Sequence, residues 1–124
     1  MKNTKLARAL FDAFAAGHID AVRELCDANL QAYQNGGLAM GLDALCGFVA
    51  AVQGVVKHFR YEDIICSETA TGFVEEHSVR GMLPDGEELD LTVCVVAEIS
   101  GGKIVTLREY VDSAKAVGLI KALS

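Results

Sequence analysis

Glu109 stands between Leu107 and Val111 in a run whose alternate positions are apolar. A carboxylate on such a strand face is either paired or put to use, because burying it alone is costly. A plain ion pair with Lys103 or Arg108 would satisfy it at the surface. Used chemically, it would accept a proton as a general base. Upstream, the segment Glu75-Glu76-His77-Ser78-Val79-Arg80 holds two further carboxylates, an imidazole and a guanidinium. Side chains alternate across a strand, so Glu76, Ser78 and Arg80 share one face. If that face looks inward, Glu76 and Glu109 meet in one low-dielectric space with Arg80 alone to compensate them. Desolvation and repulsion then raise one carboxyl pKa while Arg80 lowers the other, which gives one acid and one base near neutral pH. In this register His77 lies on the outer face. A shift of one residue would instead turn Glu75, His77 and Val79 inward.

Other chemistries find little support. His18, His58 and His77 are scattered, and the cysteines Cys26, Cys46, Cys66 and Cys94 form no CxxC pair, so no metal is expected. Each cysteine has apolar neighbours and reads as a buried, reduced thiol. Gly36-Gly37 is not followed by the Lys-Ser/Thr of a phosphate loop. No cofactor is expected. Eleven basic against seventeen acidic residues give a net charge of −6, which repels phosphate backbones and anionic lipid and argues against nucleic-acid or membrane partners. Apolar stretches such as Val93–Ala97 fall far short of the ~18–20 residues of a membrane span, and no signal core follows the N-terminal lysines. A cytoplasmic protein is expected.

The 124 residues, 52% hydrophobic with one proline, suit a single domain spanning residues 1–124. Asn3 or Thr4 can cap a first helix whose stripe is Leu6, Leu10, Phe11 and Phe14, with Gly17 ending it. A second helix runs from about Ile19 to Cys26, an extended segment from Asp27 to Asn35, and a third helix from Gly41 to about Lys57, where His58 would face its negative end. The period then changes to two. Phe59–Cys66, Gly72–Leu83, Glu88–Ile99 and Lys103–Val111 are strands joined by hairpin turns, and a last helix covers about Ser113 to Leu123. Helices followed by an antiparallel meander predict an α+β fold, a curled sheet wrapped around the N-terminal helices as a cone. Its open end is where a small molecule would bind.

The stretch Leu89–Asp112, with its Gly-Gly-Lys-Ile-Val turn and the ending Leu107-Arg108-Glu109-Tyr110-Val111-Asp112, resembles the SnoaL-like group of the nuclear-transport-factor-2-like fold. The order of elements is similar over nearly the whole chain. That group includes polyketide cyclases, isomerases and epoxide hydrolases, and also non-catalytic modules, so the resemblance implies fold more than activity. Tyr33-Gln34-Asn35 resembles the Tyr-x-Asn element of limonene epoxide hydrolases. The resemblance implies that Tyr33 and Asn35 orient an attacking water and that Glu109 occupies the position of the family's aspartate base. That family also carries an Arg and an Asp two apart on an inward face; the matching positions here are Glu76 and Ser78, with Arg80 next.

The expected function is therefore a cofactor-independent hydrolase, isomerase or cyclase acting on a hydrophobic small molecule. Its site residues would be Glu109, Tyr33, Asn35, Glu76 and Arg80. The alternative is a non-catalytic small-ligand-binding or dimerisation module of the same fold. Apolar residues on both sheet faces, Val93 and Val95 on one and Cys94 and Val96 on the other, predict a homodimer through the outer face.

Overall fold

A computed structural model describes residues 2–124. Helix α1 (Asn3–Ala16) turns Leu6, Leu10 and Phe11 into the core, as its 3.6-residue stripe requires. Asn3 is the first helical residue and not its cap. Its backbone N–H donates to Glu68 (2.7 Å) and its side-chain amide to the Gly72 carbonyl (3.0 Å), which ties the helix start to a distant hairpin. At the other end Gly17 adopts φ 69°, a left-handed conformation open to glycine at little cost. The Gln53 side-chain amide donates to the Phe14 and Ala15 carbonyls, two of the last acceptors of α1.

After α2 (Ile19–Leu25) the chain enters β1 (Cys26–Gln34), then α3 (Leu42–Val55), whose Leu45, Cys46, Val49 and Val52 are buried. Four strands follow, β2 (Lys57–Glu68), β3 (Gly72–Met82), β4 (Glu88–Ser100) and β5 (Lys103–Val111), and then α4 (Val117–Leu123). The five-stranded sheet has the order β1-β5-β4-β3-β2 and is not closed into a barrel. The meander is antiparallel, but β1 joins it parallel to β5, a pairing outside the antiparallel expectation. His58 lies in β2, not at a helix end. His58 and Asp63 both have positive φ, and the β2–β3 register shifts beside each. Such bulges bend a strand and increase its twist, which gives the sheet its curl.

The concave face packs on the helices. Phe73 and Val79 of β3, Leu91, Val93, Val95 and Ala97 of β4, and Leu107 of β5 are buried there with Leu10, Phe11 and Val22. This settles the β3 register against the expectation for Glu76 and Arg80. Phe73 and Val79 share the alternation of Glu75, His77 and Gly81. Turning Arg80 inward would expose those apolar groups and strip the guanidinium of its partners. Arg80 instead pairs on the convex face with Glu62 (3.0 Å), Asp63 (3.1 Å) and Asp90 (3.4 Å), and Glu76 is solvent-exposed.

Candidate active site

Between the concave face, α1, α3 and α4 lies a cavity of about 210 Å³. Aromatic and aliphatic side chains line most of it, including Phe14, Phe48, Val52 and Leu119. Its ionisable or hydroxyl-bearing lining residues are Tyr33, Tyr61, His77, Glu109 and Ser113, with Gln34 and Asn35 as the amides. The register explains how Glu109 comes to be there. Cys66, Glu75, Val95, Glu109 and Gln34 stand opposite one another in turn on β2, β3, β4, β5 and β1, so they form one row across the whole sheet. His77 belongs to the next row on the same face, opposite Val93 and then Val111.

Glu109 is half-buried, and Gln34 Nε2 donates to its Oε1 at 3.3 Å. Burial raises its carboxyl pKa; the charge of His77 and the bond from Gln34 oppose that shift. Tyr61, on β2, stands against the His77 ring with centroids 4.4 Å apart and meets Phe11 edge-on at 5.4 Å. Burial pushes its hydroxyl pKa up, and the charges of Glu109 and Glu75 push it the same way. The phenol is therefore neutral throughout the physiological range and serves as a donor. His77 Nδ1 lies 2.6 Å from Glu75 Oε2, with both side chains 1% exposed.

The structure brings together fewer of the expected residues than the sequence proposed. Glu109 faces the cavity. Glu76 and Arg80 do not, for the packing reason given above. Tyr33 reaches the rim, but its hydroxyl donates to Gln31 (3.1 Å). Asn35 is at the rim as well, with φ 51°, and its amide is spent on the backbone of Val111: Nδ2 donates to the carbonyl at 3.0 Å and Oδ1 accepts the N–H at 2.9 Å. It acts as one more rung between β1 and β5. The water-holding set of Tyr33, Asn35 and Glu109 is thus not assembled. In its place Gln34 meets Glu109, and Tyr61 and His77 line the same cavity; the site residues expected from the sequence included none of the three. A signal for His77 was present, since Phe73 and Val79 share its alternation and mark that face as buried.

The sequence profile of the SnoaL-like domain matches residues 7–107. The chain belongs to the SnoaL-like family. Among solved structures, a candidate polyketide cyclase from Pseudomonas putida superposes with a TM-score of 0.83 at 23% identity, over 94% of this chain and 96% of that one. An epoxide hydrolase of the limonene epoxide hydrolase-like kind from M. tuberculosis gives 0.76 at 20% identity, over 98% and 88%. A candidate isomerase from Bacillus subtilis gives 0.80 at 15% identity, over 98% and 97%. Identities this low carry the α+β fold and no activity. No curated protein matches the sequence. No helix among the described residues is long and apolar enough to cross a membrane.

Proposed function

We propose that this SnoaL-like protein catalyses cofactor-independent proton transfer on a small apolar carbonyl compound, an isomerisation or cyclisation that passes through an enolate. The observation that carries this reading is a carboxyl group held in an apolar cavity that also contains a phenol kept neutral by burial. Glu109 removes the proton next to the carbonyl, and the C–H electron pair moves onto oxygen. Tyr61 donates a hydrogen bond to the developing oxyanion, where a fixed donor in a dry site is most effective. Glu109 then returns the proton at a second carbon, or the enolate closes a ring. A carboxyl whose pKa is raised towards neutrality suits both removal and return. Epoxide hydrolysis is less well supported, because the polar ends of Tyr33 and Asn35 are already engaged.

The test is hydrogen–deuterium exchange, followed by proton NMR, on a panel of cyclic enones and 1,3-diketones in D₂O. At least one member should exchange faster than in buffer. Glu109→Gln should slow that exchange by about 10²–10⁴-fold, and Tyr61→Phe by about 10²–10³-fold. Probes that bind in the cavity yet exchange no faster than in buffer would identify a binding module instead.

The same reading includes a two-fold dimer through the convex face. Val74, Cys94 and Val96 are only half-buried there, and Tyr110 is 47% exposed. The cysteines Cys26, Cys46, Cys66 and Cys94 are all free thiols, which suits a reducing cytoplasm.

A further inference from the structure

Glu75 and His77 are a buried ionisable pair for which the carbonyl chemistry has so far no use. His77 Nδ1 is 2.6 Å from Glu75 Oε2, and both side chains are 1% exposed. The second carboxyl oxygen, Oε1, is buried with no hydrogen-bond partner. That carboxylate has one strong partner, His77, and one weak one, the Cys66 thiol of β2, so most of its pull falls on the proton at Nδ1. His77 is also a lining residue of the cavity, and Nε2 has no protein partner among the described residues. A buried structural histidine ordinarily has both nitrogens satisfied.

We propose that His77 is a second proton carrier of this cavity, exchanging its proton at Nε2, and that Glu75 is the positioning residue that fixes the proton on Nδ1. This assignment rests on the enolate reading for its substrate but not for its geometry. Glu109 lies one strand beyond β4 from His77, with about 9–10 Å between the β3 and β5 backbones. Both side chains line the same cavity, so one bound ligand can touch carboxyl and imidazole together. In turnover Glu109 takes the proton from carbon, the electron pair moves to oxygen, and the Nε2–H bond breaks as a new bond to that proton forms on the substrate. The imidazole leaves the step neutral and Glu109 leaves it protonated. When Glu109 returns its proton at the second carbon, Nε2 takes back the proton it gave to oxygen as the carbonyl re-forms, and both groups are restored with no net change.

The groups that act on this pair come from three other elements. Tyr61 and Cys66 belong to β2, where burial and the charge of Glu75 push the Cys66 thiol up to about 11, so it bears no charge. Glu109 belongs to β5, and its carboxyl feels the His77 charge directly. Arg8 of α1, itself paired with Asp12 at 3.1 Å, acts on Tyr61 and Cys66. The β4 neighbours are Val93 and Val95, which carry no charge.

The test is imidazole ¹⁵N NMR of the full chain labelled at histidine, titrated with pH; His18→Gln and His58→Gln identify the resonances. Neutral His77 should carry its proton on Nδ1 with Nε2 bare. In Glu75→Gln, which keeps the shape but removes the anion, this tautomer should give way to a mixture. With a probe that exchanges, Glu75→Gln should lower kcat at least tenfold at nearly unchanged KM and shift the pH profile. A purely structural role would allow the tautomer to change but would leave kcat and the pH profile of exchange unmoved. Neutral His77 protonated on Nε2 in the wild type would overturn the assignment, and that measurement needs no variant to fold. The expected tautomer together with no exchange on any probe would uphold the pair and refute the carbonyl chemistry.

Discussion

Replacing Glu109 by Gln should stabilise the protein, and the gain should grow as pH rises above the ordinary carboxyl range. Burial raises the folded-state pKa of Glu109. In the unfolded chain the group titrates near its ordinary value of about 4.3. Below that pH both states are protonated and the residue contributes nothing to the pH dependence. As pH rises the unfolded state ionises first, so unfolding is favoured increasingly until pH passes the folded pKa, where the effect levels off. Each pKa unit of displacement is worth about 1.4 kcal/mol on that plateau. The Glu109→Gln side chain has no charge to desolvate and escapes the loss. Its amide can still meet Gln34, and any change in that contact, on the order of 1 kcal/mol, is independent of pH. The quantity to measure is therefore the difference in unfolding free energy between variant and wild type at pH 8, less the same difference at pH 4. Urea unfolding gives it, at about 0.5–1.4 M in midpoint per pKa unit. A carboxyl-carbon NMR titration of Glu109 supplies the displacement independently, and the two must agree. A difference that is flat with pH, or that falls as pH rises, would refute the claim that the cavity desolvates this carboxylate.

Further outcomes follow from the packing. Glu76→Gln and Arg80→Ala should leave probe exchange unchanged, because both lie on the convex face; Arg80→Ala should also leave the urea midpoint nearly unchanged, as its ion pairs with Glu62, Asp63 and Asp90 are partly exposed. Loss of exchange in either would restore them to the site. Gly72→Ala should destabilise strongly, by roughly 2 kcal/mol or more, because its Cβ would fall 1.9 Å from the Ala97 carbonyl oxygen and force the β3–β4 pair apart; an unchanged urea midpoint would contradict that close approach. Light scattering at micromolar concentration should give twice the chain mass, and Tyr110→Glu should halve it; a wild-type monomer would remove the convex-face dimer.

The helices and the meander were legible in the sequence because each is a local matter. The stripe of Leu6, Leu10 and Phe11 and the period-two runs of β3, β4 and β5 report which face of each element is apolar, and burial follows apolarity. Glu109 was legible for the same reason, as a carboxylate in an apolar alternation. Tertiary structure alone decided which members of Glu75–Arg80 face the cavity. Both faces of β3 carry apolar and charged residues, so alternation gave two registers and no choice between them. The choice was made by partners far along the chain: α1 packs on β3 with Phe11 edge-on to Phe73, while Glu62, Asp63 and Asp90 hold Arg80 outside. Likewise Tyr33, Gln34 and Asn35 have the right types for a site, but the parallel pairing of β1 with β5 spends Asn35 on Val111 and puts Gln34 on Glu109. A residue's type sets what chemistry it can do, but its free hydrogen-bonding capacity depends on neighbours that a strand's own sequence does not contain.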